Sequence, residues 1–563
     1  MATQDLATQE PDQLRRPPGW LAPITIFGVA LVLRLSHLYE ISLNDPYFTI
    51  PAVDGAVYDA WARRLAAGDF VGDRVLFMGP LYAYAMAALY ALVGPSIPAV
   101  KLLQAVLGSL SCVLVWAVAR EMFDRRVAAV AGYLAAFYAM SIFYGGTLML
   151  VNLQIPLVLG LTLAWLRAMR QPSAMGWALC GGLIGLSALA RQTTLLLAPL
   201  ALFAIFYALR DSHVVRERLG FAAAFSASIA LLILPFSVQN YMAAQDVVLL
   251  NSTGGPNFYM GNYRGADGAW QRPSIGSGAA INSPESMQRE FGFAAEQATG
   301  RPMKASEISR FWLHRGLAEI RSDPARWVRL EVRKLRRFLS AYEVWNNRSF
   351  EVSQRFSWVI QSPLLSFGMI APLGLLGIAL SRRRARKLFP AYAVLGAYLT
   401  SALVFFVLSR YRMPAAIALL PFAAFAVVCV FDTIRQRDFR ALGVQFIGLA
   451  ICAAFVHLPT EPENRMAMAY FNLANKYRDL ERWDEAETAY RDSIRENPLA
   501  AATHNNLAIT YELSGQTDEA ISTWITVGRM ASRTGDRVRL ERAARHLHEL
   551  GVTQLPAEPP AKP

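Results

Sequence analysis

Charge is scarce in this sequence: 17% of its 563 residues are Asp, Glu, Lys or Arg, against 54% hydrophobic. That balance excludes an ordinary soluble protein, and the length exceeds a single domain. Cysteine is rarer still. Cys112, Cys180, Cys429 and Cys452 all fall inside apolar runs, with no Cys-x-x-Cys motif and no histidine pair at zinc spacing. This pattern excludes a disulfide framework and a zinc site and leaves four small core hydrophobes. No glycine-rich phosphate loop follows a strand-like run, so a nucleotide-linked donor has no cradle. The net charge of +13 would suit nucleic acid on a bare count. Its basic residues, however, are dispersed in short loops between apolar runs, the positive-inside pattern, so no nucleic-acid partner is expected.

Long apolar runs are abundant. Stretches of about twenty residues, the length that crosses a bilayer, recur from Leu21 to Leu458. They predict an all-α polytopic membrane protein with about eleven transmembrane helices. These fall near 21–38, 98–119, 127–144, 149–168, 175–190, 193–209, 219–239 and 358–380, then in two runs on either side of Ser409–Arg412, and at 441–458. Residues 1–20 are expected to be a disordered cytoplasmic N-terminus before a retained anchor, because no small-residue cleavage site follows the first run. On that topology every short cytoplasmic loop carries Arg or Lys, the strongest being Ser-Arg-Arg-Arg-Ala-Arg-Lys at 381–387. Segments 39–97 and 240–357 are then external. The alternation holds only if residues 81–93 do not cross. They are too short to span comfortably and read as a juxtamembrane helix with tyrosines at headgroup level.

The chain is organised around residues 51–94. Asp54 sits where the first membrane helix has just ended, and Tyr58 lies four residues on, sharing its helical face. The ordered motifs are Asp-x-x-x-Tyr-x-x-x-Ala-Arg-x-x-x-x-Gly-Asp from Asp54, Gly-Pro-Leu-Tyr ending at Tyr82, and Leu-Leu-Gln-Ala-x-Leu-Gly at 102–108. In this order and placement they resemble bacterial membrane glycosyltransferases of the GT-C class, relatives of protein O-mannosyltransferases and of aminoarabinose transferases (the glycosyltransferase family 39 type). The resemblance covers roughly residues 20–460 and implies a GT-C domain at 21–458, with 39–97 as the first catalytic loop and 240–357 as a second, mixed external loop. Many relatives carry Asp-Glu at the first acidic site; here it is Asp54-Gly55.

The resemblance implies transfer of a sugar from a polyprenyl-phosphate donor to a hydroxyl acceptor on the extracytoplasmic face of a bacterial cytoplasmic membrane, with inversion. The residues suit that chemistry. Asp54 at an apolar boundary can serve as general base, a helix cap being the bland alternative. Arg191, Arg410 and Arg412 stand at outward span ends, where the charge bias disfavours arginine, and their planar forks suit phosphate oxygens. Interface snorkelling is their alternative reading; Arg34 and Lys101 are lesser candidates. Tyr58, Tyr82, Tyr411, Asn257 and Asn262 complete the candidate substrate-binding set, the two asparagines from a Gly-Gly-x-Asn-Phe-Tyr-x-Gly-Asn loop at 254–262 that resembles one in these transferases. Alternatively, that loop is a turn cluster exploiting glycine's φ freedom. One carboxylate is too few for a hard cation, so no metal or other cofactor is predicted. The rival readings are a ligase using a lipid-pyrophosphate donor, which needs more cations, and a transporter or repeat scaffold without catalysis.

Residues 465–550 change character. Tyr470-Phe-Asn-Leu-Ala474 returns as His504-Asn-Asn-Leu-Ala508, and Asp484-Glu-Ala486 as Asp518-Glu-Ala520, each 34 residues on. This is the tetratricopeptide period. Two repeats and a third, partial helix predict a short α-solenoid on the catalytic side of the membrane, with a protein partner or acceptor on its concave face, and a disordered tail from 551.

Overall fold

The computed structural model describes residues 20–72, 74–275, 283–460 and 465–552. The terminal segments expected to be disordered lie outside these residues, apart from Trp20, Gly551 and Val552. The regular elements among the described residues are all helices, with isolated bridges and no strands. The described residues form two compact units: one drawn from 20–43, 51–346 and 357–460, the other from 44–50, 347–356 and 465–552.

The first unit is a membrane bundle. Among the described residues six helices are long and apolar enough to cross a bilayer: Leu21–Asn44, Ile97–Met122, Val151–Arg170, Val215–Ala244, Ser409–Arg435 and Phe439–Val456. Shorter apolar helices occupy Ala174–Ala190, Gln192–Ala208 and Phe389–Val404. On Phe439–Val456, Val444, Ile447 and Ile451 are each more than three-fifths exposed. A stripe of that kind is compatible with lipid and costly in water. The protein is a multi-pass membrane protein. Its helices approach closely through glycine, as expected where lipid supplies no hydrophobic drive. A Cβ at Gly181 would lie 2.1 Å from the Phe225 carbonyl oxygen, and one at Gly377 would lie 1.9 Å from that of Phe422.

Each predicted span has a helical counterpart, but two are broken. The stretch 127–144 divides into Arg125–Ala136 and Ala139–Gly145, and 358–380 into Trp358–Gln361 and Phe367–Ser381. Ser362 is extended, with ψ 159°, because Pro363 disfavours a helical residue before it. The two breaks meet and exchange backbone hydrogen bonds. Leu365 N–H donates to the Phe137 carbonyl at 3.1 Å, and Ala139 N–H donates to the Leu365 carbonyl at 3.0 Å. Interrupted helices at membrane depth need such mutual satisfaction.

The helix Leu81–Val93 has 13 residues, about 20 Å by helix rise, too short for a ~30 Å core. Tyr82, Met86 and Tyr90 pack against Tyr58, Ala62 and Leu65 of the helix Asp54–Ala66, while Leu92 and Val93 are exposed. Segment 240–357 holds the helices Gly254–Asn262, Pro284–Thr299, Ala305–Ser322 and Pro324–Leu339. The 254–262 motif is thus a helix and not a turn cluster. Its glycines serve close approach: Cβ atoms at Gly255 and Gly261 would fall 1.7 Å and 1.9 Å from the carbonyl oxygens of Ser309 and Phe405.

The second unit contains the repeats as two helix pairs, Arg465–Asp479 with Trp483–Glu496 and Ala501–Leu513 with Thr517–Thr534, then Arg537–Glu549. Gly515, at φ +79°, makes the turn inside the second pair. The residue 34 positions earlier, Glu481, holds φ +57° without being glycine. Trp524, Val527 and Leu547 form the core of the C-terminal repeat.

Candidate functional site

Asp54 is the first residue of the helix Asp54–Ala66, where a carboxylate is favoured by the free N–H groups, yet it does not cap that helix: no side-chain cap hydrogen bond is present. The carboxylate instead accepts from Arg410 in a mostly buried ion pair, each side chain 12% exposed. The preceding residue, Val53, has φ +52°, a genuine outlier for a β-branched residue and a cost of about 1–3 kcal/mol. Strain therefore sits at the turn that aims Asp54.

Two glycines fit this helix into place. A Cβ at Gly55 would lie 3.2 Å from the Leu148 Cβ, so the loop entering Val151–Arg170 packs directly against the residue after Asp54. That loop is held by Asn152, whose amide donates to the carbonyls of Tyr144, Thr147 and Met149, and by Gln104, whose amide donates to those of Gly145 and Thr147. A Cβ at Gly79 would lie 2.1 Å from the Ala190 carbonyl oxygen. The Gly-Pro-Leu-Tyr step is thereby seated on the residue before Arg191.

Tyr411 gathers the cations. The Arg191 guanidinium stacks over its ring at 3.7 Å from the centroid, and that of Arg410 lies at 5.1 Å. Among the described residues Arg191 has no carboxylate partner. Tyr58 is 1% exposed. Burial first, and the Asp54 carboxylate second, raise its hydroxyl well above the ordinary tyrosine range, so it stays a neutral donor. The Tyr58 ring meets Tyr82 edge-on at 5.0 Å, and the Tyr82 hydroxyl donates to Gln104 Oε1 at 2.5 Å. Tyr82 accordingly braces Tyr58 and has its own hydroxyl engaged. Tyr58 Oη and Arg410 Nε, with Thr193 Oγ1 and Ser409 Oγ next to the arginines in sequence, are among the buried polar atoms that have no protein partner. Such groups are costly unless a ligand or water completes them. With two arginines against one carboxylate, the arrangement suits an anion with several oxygens.

Arg412 does not join the cluster. Two residues from Arg410 on one helix, it faces the other way. Its guanidinium donates to the carbonyls of Phe338, Ser340 and Tyr342, pairs with Glu343 at 2.7 Å and covers the Phe367 ring. Asn262 is also internal. Its amide donates to the Phe258 and Val404 carbonyls, and its Oδ1 accepts from Trp327 Nε1 and Lys334 Nζ. Asn257 lies on the same helix, partly buried. Arg34 donates to the Ala30 carbonyl and Ser141 Oγ. Lys101 is 1% exposed in the helix Ile97–Met122. Among the described residues no group of three or more His, Cys, Asp or Glu stands close enough to hold a metal ion. Gln104, Asn152 and Thr193 escape sequence reasoning because single amides and hydroxyls in apolar runs carry no periodic signal. The Gln within Leu-Leu-Gln-Ala-x-Leu-Gly was the one available hint.

Residues 78–239 match the family model of dolichyl-phosphate-mannose-protein mannosyltransferase, and residues 469–502 match a tetratricopeptide repeat model. Both matches support the resemblances read from the motifs. No curated protein matches the chain. Among solved structures, it is similar to an oligosaccharyltransferase from Archaeoglobus fulgidus, in a complex with zinc and sulfate, at 17% identity and TM-score 0.44, over 82% of this chain and 56% of that one. The same organism's AglB with an inhibitory peptide and a dolichol-phosphate gives 15% identity and TM-score 0.42, over 83% and 59%. ArnT from Cupriavidus metallidurans bound to undecaprenyl phosphate gives 17% identity and TM-score 0.34, over 74% and 80%. The chain thus spans a little over half the length of the archaeal enzyme.

Proposed function

We propose that this protein is a membrane glycosyltransferase that moves a sugar from a polyprenyl-phosphate donor to a hydroxyl acceptor, with inversion, on the extracytoplasmic face of a bacterial cytoplasmic membrane. The observation that carries the reading is the Asp54–Arg410 pair with Arg191 stacked over Tyr411 beside it. The family match over 78–239, which includes Tyr82 and Arg191, supports it.

In this reading Arg191 receives the donor phosphate, since it has the guanidinium not already committed to a carboxylate. The phosphate also draws Arg410, loosening its hold on Asp54 and leaving that carboxylate free to act. Asp54 takes the proton of the acceptor hydroxyl. The acceptor oxygen bonds to the anomeric carbon as the bond from that carbon to the phosphate oxygen breaks, and the electron pair leaves with the lipid phosphate. The leaving group gains a negative charge, which Arg191 and Arg410 stabilise with the Tyr58 and Thr193 hydroxyls donating nearby. Arg412 and Asn262 serve the scaffold. The tetratricopeptide match over residues 469–502 supports a peptide-binding face there, and in this reading the repeats lie on the catalytic side of the membrane.

The reading is tested with purified protein in lipid nanodiscs, a polyprenyl-phosphate sugar of defined anomeric configuration, and acceptors offered as a panel of peptides, glycans and lipids. Transfer with inverted configuration is expected. A retained configuration, or turnover only with a nucleotide sugar, contradicts it.

A further inference from the structure

The repeat unit is more than repeats. It contains segments 44–50 and 347–356, short pieces of the chain more than a hundred residues away from the repeats in sequence. Each is held by specific polar contacts. The Tyr47 hydroxyl donates to the Asn472 carbonyl at 2.8 Å. The Tyr47 ring has the Arg348 guanidinium at 4.8 Å and the Lys476 ammonium at 5.7 Å. Asp45, its carboxylate 1% exposed, pairs with Arg348 at 2.7 Å and caps its own turn through Tyr47 N–H, so the two segments are locked to one another as well as to the repeats. Arg355 reaches Asp492 at 2.8 Å and the Tyr470 hydroxyl at 2.8 Å, its guanidinium lying over the Tyr470 ring.

Asn472 and Lys476 lie four apart and present one face of the helix Arg465–Asp479. Tetratricopeptide helices use such faces to take peptide ligands. Here the ligand is an aromatic residue and a set of arginines from the same chain. Arginine over aromatic rings and buried carboxylate pairs give directional, geometry-dependent contacts, unlike a loose apolar docking.

We infer that the first repeat is a clamp occupied in cis by segments 44–50 and 347–356, and that it positions the turn and helix that begin at Asp54, four residues after segment 44–50 ends. The positioning half of this inference rests on the role proposed for Asp54; the clamp half does not. It leaves the first repeat's face unavailable to a partner protein and makes Tyr47, Arg348 and Arg355 positioning residues for transfer.

The test uses the full-length protein with a specific protease site inserted between residues 462 and 463. After cleavage in detergent, the repeat fragment should remain associated through size-exclusion chromatography at submicromolar concentration. The Tyr47→Ala/Arg355→Ala double variant should lose it, with at least a tenfold faster dissociation, and Arg355→Lys should restore retention only in part. Released enzyme should show a fall in kcat of tenfold or more, with its affinity for polyprenyl phosphate within twofold of the uncut protein, since the arginine cluster is untouched. Prompt release of the wild-type fragment overturns the clamp. Release with kcat unchanged overturns the positioning role. Retention is read without turnover, so failure of the glycosyltransferase reading would leave the clamp result standing and separately interpretable.

Discussion

Replacing Arg191 by alanine separates ligand grip from scaffold, because its surroundings differ so sharply from those of Arg410. Arg410 is paired with Asp54, both side chains 12% exposed. Truncating it leaves a mostly buried carboxylate uncompensated, at a cost of about 3–5 kcal/mol. Arg191 has the Tyr411 ring at 3.7 Å and no carboxylate among the described residues. Its removal forfeits a cation–π contact of about 1–2 kcal/mol but also removes a partly desolvated, unpaired charge, a relief of similar or larger size. Arg191→Ala should therefore leave stability within about 1 kcal/mol of wild type, roughly 2 °C in the midpoint for a unit of this size. Arg410→Ala should melt well below both. Donor binding should rank differently. Losing a charged hydrogen bond to phosphate costs about 1.5–3 kcal/mol, or about 10- to 150-fold in affinity for polyprenyl phosphate. Arg191→Lys should recover part of this, lacking the bidentate fork. Scanning fluorimetry and titration of polyprenyl phosphate in nanodiscs measure both quantities. If Arg191→Ala fell as far in stability as Arg410→Ala and kept donor affinity, Arg191 would be a scaffold residue and the reasoning would fail.

Two further outcomes are expected. Gly79→Ala places a methyl 2.1 Å from the Ala190 carbonyl oxygen, so the loop must move beside Arg191; transfer should drop by about 10–100-fold, since displacement of about 1 Å costs that much, while membrane insertion, followed by expression level and gel filtration, stays normal. Glu481→Gly relieves the left-handed residue at φ +57° and should stabilise the repeat unit by about 1 kcal/mol, read as slower hydrogen exchange across 465–496, with Gly515→Ala moving 501–534 the opposite way.

The membrane bundle was legible because hydropathy over twenty residues integrates many small terms, and the repeats because the 34-residue displacement recurs in two independent patches. The fate of individual spans was less so. Pro363 marked a break, but nothing within 127–144 signals that Phe137 and Tyr138 leave the helix; Leu365, which donates to the Phe137 carbonyl and accepts from Ala139 N–H, is more than two hundred residues away. Glycines at 254–262 looked like turn residues, since sequence does not distinguish φ freedom from the need to approach a neighbouring backbone. Asp54, Arg191 and Arg410 could be singled out by type and by their expected placement at the membrane boundary. Their pairing could not be: Asp54 and Arg410 stand 356 residues apart. The spacing of Arg410 and Arg412 did contain the answer to one question, because residues two apart on a helix cannot both face one site.

In the proposed mechanism, transfer turns on Asp54 acting as the base that Arg410 holds and the donor frees. The most direct measurement compares Asp54→Asn with wild type in single-turnover transfer from a polyprenyl-phosphate sugar, alongside equilibrium binding of polyprenyl phosphate. Asparagine preserves shape and can still accept from Arg410, but it cannot take a proton. Transfer should fall by about a hundredfold or more, while binding of polyprenyl phosphate holds or tightens because Arg410 is no longer held by a charged partner. Transfer within a fewfold of wild type, or loss of lipid-phosphate binding in step with loss of transfer, would contradict the assignment.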